Sequence, residues 1–213
     1  WAAVALAVVV AGVCGALSGY FVAYCGVQPM VVTLGGSFLF TGVALLVSNL
    51  SATESYKGIS GFPDSFLQIS KFKLFGVIPC QVIIFLVLAV IAYVLLNKTK
   101  YGRMVFLIGV NKDAAEFSGI NTRLITMTTY ILSGISAAIA GIILTSYIGT
   151  AKSDIGVTFT LPIITAVVLG GTLSTGGKGS VVGTALAAVV IGVLKFGLPL
   201  CFKVPQQYLG IPV

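Results

Sequence analysis

The sequence predicts an all-α protein, built as a polytopic bundle of transmembrane helices. Three observations predict this fold: hydrophobic residues make up 58% of the chain, charged residues only 8%, and the mean hydropathy is +1.12. A helix needs about 20 apolar residues to cross the hydrocarbon core. The first charge is Glu54, so two crossings fit before it. The apolar runs are continuous rather than alternating, which excludes a β-barrel.

Six apolar segments are the predicted membrane elements. The first four are predicted spans and cover about 1–26, 30–50, 76–96 and 124–148. A shorter apolar piece covers about 157–172, and a further span covers about 180–201. This gives about five or six spans, with a re-entrant course left open for the glycine-rich stretch that follows 157–172. Residues 1–213 are treated as one transmembrane domain. Because the chain opens in mid-run at Trp1, we expect further spans to flank it at both ends.

The charges in two polar loops predict the orientation of the spans. Loop 97–123 holds five basic and two acidic residues, whereas the charges of loop 51–75 are nearly balanced. Basic residues collect on the cytoplasmic side of membrane proteins. Loop 97–123 is therefore predicted to be cytoplasmic and loop 51–75 extracytoplasmic. The same rule accounts for the net charge of +7 without any nucleic-acid partner.

Loop 97–123 contains the signals of one short helix over about 112–118. Asn111 is a good N-cap, and Asp113 lies in the first turn, where the helix dipole favours an acid. Gly119 stands where a left-handed residue would end the helix. Such a helix is only about 10 Å long.

Side chains on this short helix suit a contact with another protein. Ala114 and Ala115 make one part of it slim enough to enter a groove, and Phe117 can anchor the contact. From these residues alone, a plain connecting loop between two spans is an equally good interpretation.

Small residues recur at four-residue spacing in three of the spans. This spacing lets helix backbones approach closely in lipid, so it predicts a compact bundle rather than independent anchors. The predicted packing faces are Ala11, Gly15, Gly19 and Ala23; Ser133, Ala137 and Gly141; and Gly179, Gly183 and Ala187.

A glycine-rich segment, 170–180, resembles a nucleotide-binding P-loop without matching it. The motif requires glycine where Thr172 stands, and Ser or Thr where Gly179 follows Lys178. A turn between two membrane helices, plain or re-entrant, is the preferred interpretation. Irregular backbone at membrane depth is tolerated where it is buried in protein or borders an aqueous path.

Catalytic and metal sites find no support in the sequence. The chain has no His, its four Cys are scattered, and none of its five acids lies clearly within a span. We therefore expect no catalytic residue, no metal site and no cofactor bound to this chain. The lack of intramembrane acids also argues against a proton-coupled carrier.

Three stretches resemble the ribose/xylose/branched-chain-type permeases of ABC importers. In the first, Gly102-Arg103 is followed by Ile108-Gly109, then Asn111, Ala114-Ala115 and Ser118-Gly119-Ile120. The others are Pro29-Met-Val-Val-Thr-Leu-Gly-Gly, and Ala166-Val-Val-Leu-Gly-Gly-Thr with Gly176-Gly-Lys-Gly-Ser-Val-Val-Gly-Thr. Together they cover nearly the whole chain in the expected order, and the monosaccharide branch fits best.

The resemblance implies a permease subunit in a bacterial inner membrane, moving a small polar solute inward. Its expected partners are a second permease copy, identical or related, two ATPase subunits that bind ATP and Mg²⁺, an extracytoplasmic solute-binding protein, and the lipid bilayer. The short helix would then be the coupling helix. The residues expected to couple to the ATPase are Gly109, Asn111, Asp113, Ala114, Ala115, Glu116, Phe117, Ser118 and Gly119.

Several alternatives stay open at this stage. Hydroxyls crowd the span after loop 97–123, and with the glycine-rich segment they give Thr129, Ser133, Gly170 and Gly171 as candidate residues lining the path. Bonds to backbone carbonyls are the competing interpretation for the hydroxyls. Within the family, a branched-chain amino acid or nucleoside permease is the alternative; outside it, a secondary transporter or channel without an ATPase.

Overall fold

The protein was analysed as a computed structural model that describes residues 1–50, 59–71, 73–74, 78–153 and 155–202. The helices are α1 Ala2–Ala23, α2 Pro29–Leu50, α3 Asp64–Lys71, α4 Cys80–Asn97, α5 Lys100–Val110, α6 Lys112–Phe117, α7 Thr122–Ile148, α8 Thr160–Leu169 and α9 Val181–Phe202. A 3-10 turn, Val157–Phe159, precedes α8. Two short strands, β1 Lys73–Leu74 and β2 Ile78–Pro79, pair antiparallel between α3 and α4. Residues 51–58, within the predicted extracytoplasmic loop, lie outside the described residues.

The helix bounds confirm the predicted all-α polytopic fold. Among the residues that the structure describes, four helices are long and apolar enough to cross a membrane: Ala2–Ala23, Pro29–Ser48, Cys80–Asn97 and Thr122–Ile148. Shorter apolar helices cover Val157–Leu169 and Val181–Lys195. The predicted span 76–96 begins at Cys80 in the structure, because Ile78–Pro79 form strand β2; residues 76 and 77 lie outside the described residues. Two helices were not predicted, α3 and α5.

The chain forms two compact units, and the first comprises Trp1–Phe85 and Ser118–Ser153. Its core is the antiparallel pair α1 and α7, whose backbones approach closely at glycines. A Cβ atom at Gly15 would lie 2.5 Å from the Tyr130 carbonyl oxygen, and one at Gly134 would lie 2.5 Å from the Ala11 carbonyl oxygen. Neither position therefore has room for any side chain.

The packing face of α1 was predicted correctly, but that of α7 was not. Ser133, Ala137 and Gly141 are exposed, and nothing lies within 4 Å of a Cβ built at Gly141. The face of α7 that meets α1 carries Tyr130 and Gly134 instead. Gly15 and Gly19 of α1 leave room for Tyr130 of α7, and Gly134 lets the two backbones approach next to it.

Residues from loop 51–75 pack on the end of α7 that is farthest from loop 97–123. The Ser146 hydroxyl donates a hydrogen bond to the Phe66 carbonyl oxygen at 2.8 Å. Ile59 and Ala151 exchange two backbone hydrogen bonds of 3.0 Å. At the opposite end of the α1–α7 pair, the Arg123 guanidinium lies 6.0 Å from the centre of the Tyr24 ring. Ile59 and Phe66 of loop 51–75 therefore lie near the end of α7 opposite to Arg123.

The second unit comprises Leu86–Phe117 and Asp154–Val213. Here α8 and α9 form a tight hairpin. A Cβ atom at Gly170 would lie 2.5 Å from the Thr184 nitrogen, and one at Gly183 would overlap the Gly170 carbonyl oxygen. Ala187, one turn further along α9, is buried. The predicted small-residue face of this helix is thus confirmed at Gly183 and Ala187.

Replacing Gly134 by Leu should destabilise the first unit, because the side chain would meet the backbone of α1. Overpacking typically costs about 1–3 kcal/mol, so we expect a lower midpoint of thermal unfolding in detergent. Gly141→Leu is the matched control, seven residues along the same helix with open space beside it. Equal midpoints for the two variants would contradict the packing described here.

Candidate functional site

The candidate site is built on α5 and α6, which follow the membrane helix α4. The start of α5 is fixed by Thr99, whose hydroxyl accepts a hydrogen bond from the Gly102 N–H at 3.3 Å and donates one to the Leu95 carbonyl oxygen at 2.6 Å. Gly102 is buried against the backbone of Leu96. These contacts make α5 turn tightly away from the end of α4.

Asn111 separates α5 from α6 and caps the second helix, as predicted. Its backbone is extended, and its N–H donates to the Leu107 carbonyl oxygen at 3.1 Å, which closes α5. Its side-chain Oδ1 accepts a hydrogen bond from the Ala114 N–H at 3.0 Å. One residue thus ends one helix and begins the next, as an N-cap does.

The two alanines of α6 have different surroundings. Ala115 is buried, with 4% of its surface exposed, whereas Ala114 is exposed. Enlarging Ala115 would therefore disturb the packing of α6 itself. Enlarging Ala114 changes mainly the outer surface of the helix.

The outward face of α6 combines an aromatic ring with acidic side chains. Phe117 is 94% exposed, and with Asp113 and Glu116 it lines an open depression. Asp113 lies in the first turn, where the helix dipole favours it. An aromatic ring exposed to this degree beside charged residues is typical of a contact residue.

The chain leaves α6 through the glycine that the sequence predicted. Gly119 has φ of 80°, a left-handed conformation that glycine adopts without strain. Asn121 then caps α7, accepting a hydrogen bond from the Leu124 N–H at 3.2 Å. Both ends of α6 are thus fixed by local chemistry. Gly109 lies in the last turn of α5, and Ser118 follows α6 directly.

The candidate path-lining residues divide between the two units. Thr129 and Ser133 lie on α7 in the first unit, where both are exposed. The Thr129 hydroxyl donates to the Ile125 carbonyl oxygen at 2.8 Å. Gly170 is buried at the end of α8 against α9, and Gly171 follows it with φ of 88°. The close approach at Gly170 gives this residue a packing role.

Lys195 is a residue that the sequence reasoning missed. It is a single cation within the apolar run of α9. Its Nζ lies 4.7 Å from the centre of the Phe159 ring, within the distance of a cation–π contact. A single charge in an apolar run is the signal that could have found it.

The fold and this site define a polytopic membrane protein with a short capped helix presented on its basic side. The sequence matches, over residues 1–208, the family described as "Branched-chain amino acid transport system / permease component". The chain belongs to this family. No solved structure matches it.

Curated relatives are similar over almost the whole chain. It is 42% identical over 206 residues to the autoinducer 2 import system permease protein LsrD of Photorhabdus luminescens, covering 97% of this chain and 61% of the relative. It is 43% identical over 196 residues to the protein of the same name from Yersinia pseudotuberculosis serotype O:3, covering 92% and 59%. It is 41% identical over 205 residues to the protein of the same name from Salmonella paratyphi B, covering 96% of this chain and 61% of the relative. The chain therefore spans about three-fifths of the length of these relatives.

Replacing Asn111 by Ala should fray the first turn of α6, because the Ala114 N–H loses its acceptor. Loss of an N-cap costs about 1 kcal/mol, which corresponds to roughly fivefold faster amide exchange if α6 opens locally. Hydrogen exchange of residues 112–117, followed by mass spectrometry, measures this. Asn111→Asp retains the acceptor and should exchange like the unmodified protein; fast exchange in both variants would show that the cap does not hold α6.

Proposed function

We propose that this chain is the permease subunit of a binding-protein-dependent ABC importer, located in the bacterial inner membrane as a multi-pass protein. Family membership supports the transport role, and the names of the relatives support import. The observation that carries the proposal is α6. A six-residue helix is too short to be stable alone, yet it is capped and presents Phe117 almost fully exposed.

We propose that α6 is the coupling helix and that the partner is an ATPase subunit. Phe117 would enter an apolar pocket of the ATPase, and Asp113 and Glu116 would face basic residues at the rim of that pocket. An aromatic anchor surrounded by polar groups is the usual arrangement of a binding hot spot. ATP and Mg²⁺ would be bound by the ATPase, whose closure would move α6.

The solute proposed is small and polar. The relatives are named for import of autoinducer 2, which makes this compound the first to test. A monosaccharide is the class that the resemblance favours. The solute would be delivered by an extracytoplasmic binding protein to a path formed with a second permease copy.

The orientation of the chain agrees with this assignment. Lys98, Lys100 and Arg103 precede α6 in loop 97–123, where basic residues favour the cytoplasmic side and its anionic lipids. The segment of loop 51–75 that docks on the far end of α7 would then face the binding protein. An importer that binds an ATPase on one side of the membrane and a solute-binding protein on the other needs these two loops on opposite sides.

Replacing Phe117 by Ala should weaken binding of the ATPase at least tenfold, the effect expected of an aromatic hot-spot residue. Binding is measured by co-purification of the full-length complex, and function by ATP-dependent uptake in proteoliposomes with the binding protein. Phe38→Ala is the matched control, since Phe38 is 78% exposed on α2.

Replacing Ala114 by Trp tests the same surface by adding bulk instead of removing it. We expect loss of ATP-dependent uptake with the membrane helices intact, since Ala114 is exposed. Thermal unfolding in detergent checks that the fold is kept. Normal uptake by both Phe117→Ala and Ala114→Trp, or uptake without ATP, would overturn the assignment.

A further inference from the structure

The glycine-rich segment 170–180 is an ordered turn between α8 and α9. The Leu173 N–H donates to the Lys178 carbonyl oxygen at 3.1 Å, and the Gly176 N–H donates to the Leu173 carbonyl oxygen at 3.0 Å. At its end, the Ser180 hydroxyl accepts a hydrogen bond from the Gly183 N–H at 3.1 Å and caps α9. The turn therefore has a defined shape although most of its side chains are small and exposed.

This turn lies directly against the last residues of α5. A Cβ atom built at Gly176 would be 3.1 Å from the Gly109 carbonyl oxygen, and one at Gly177 would be 3.0 Å from the Val110 nitrogen. Conversely, a Cβ at Gly109 would overlap the Gly177 nitrogen. The backbones of Gly109 and Gly177 thus touch directly, three residues before α6 begins. The Val110 side chain lies beside this contact, with its Cγ2 2.8 Å from a Cβ built at Gly177.

The α8–α9 hairpin is held together at both ends. Next to the turn, Gly170 and Gly183 bring the two backbones into contact, and the Thr172 and Thr184 hydroxyl oxygens lie 3.4 Å apart. At the far end, Lys195 on α9 lies over the Phe159 ring at the start of α8. A displacement of the turn would therefore carry both helices.

We propose that the contact of Gly109 with Gly176 and Gly177 transmits movement of α6 to the α8–α9 hairpin, and that these glycines are positioning residues for transport. The inference rests on the proposed function of α6. A side chain in the contact could change rotamer and absorb a small shift. Backbone against backbone has no such freedom, and packed elements respond to small shifts by moving together.

The glycines of the turn supply a matched pair of variants. Gly177 has φ of 78° and Gly171 has φ of 88°, so Ala at either position meets similar backbone strain. Of these two glycines, Gly177 touches α5 and Gly171 does not, because nothing lies within 4 Å of a Cβ built at Gly171. Any difference between Gly177→Ala and Gly171→Ala therefore reports the contact rather than the strain. Gly109→Ala adds the same bulk from the other side, within a helix.

The experiment measures solute imported per ATP hydrolysed in proteoliposomes of the full-length complex. We expect Gly177→Ala to keep the co-purifying ATPase and its basal hydrolysis. Gly177→Ala and Gly109→Ala should both import roughly tenfold less solute per ATP hydrolysed. Gly171→Ala should stay within about twofold of the unmodified protein. A purely structural role would lower yield and stability without changing this ratio in the complexes that assemble.

Two results would overturn the inference. One is an import ratio in Gly177→Ala and Gly109→Ala equal to that of Gly171→Ala. The other is failure of both contact variants to assemble while Gly171→Ala assembles, which would make the contact a structural joint only. Failure of the proposed function would look different from failure of this inference, because the unmodified protein itself would then lack a co-purifying ATPase or ATP-dependent uptake.

Discussion

Close approach of helix backbones at glycine is the constraint on which this structure depends. Lipid tails are as apolar as the side chains, so helices in a membrane gain little by burying leucine and rely on packing at short range. Gly15 and Gly134 bring α1 onto α7, and Gly170 and Gly183 bring α8 onto α9. The same kind of contact, between Gly109 and Gly177, joins α5 to the α8–α9 turn.

Backbone contacts at these glycines leave the large side chains for other surfaces. Phe38 on α2 is 78% exposed, and Leu161 on α8 is 76% exposed. In a membrane protein, such side chains meet lipid or a further subunit. Phe117 differs from them because it lies in a charged loop, beside the two acidic residues of the same short helix, Asp113 and Glu116. Exposure of an aromatic ring there supports the proposed contact with a protein partner.

The membrane helices were predictable because long apolar runs admit few other structures in lipid. The short helix α6 was predictable because Asn111 and Gly119 are strong local signals at its two ends. The helix α5 was not predicted, because its apolar residues follow three basic ones and resemble part of a polar loop. Its N-cap, Thr99, also bonds to the Leu95 carbonyl oxygen of α4, a contact that only the structure shows.

The packing face of α7 could not be read from spacing. Spacing indicated Ser133, Ala137 and Gly141, but the face of α7 in contact is selected by α1, where Gly15 and Gly19 leave room for Tyr130. The contact between Gly109 and Gly177 joins positions far apart in the chain, and no sequence pattern predicts it. The assignment of Thr129, Ser133, Gly170 and Gly171 to the lining of the path stays a prediction.

The proposed contact between α6 and an ATPase subunit is tested by photo-crosslinking in the native membrane. A photoreactive phenylalanine analogue is placed at Phe117, and in a second sample at Phe38, and the captured proteins are identified by mass spectrometry. Position 117 should capture a nucleotide-binding ATPase subunit, and position 38 should not. Capture of no ATPase at position 117, or equal capture at both positions, would contradict it.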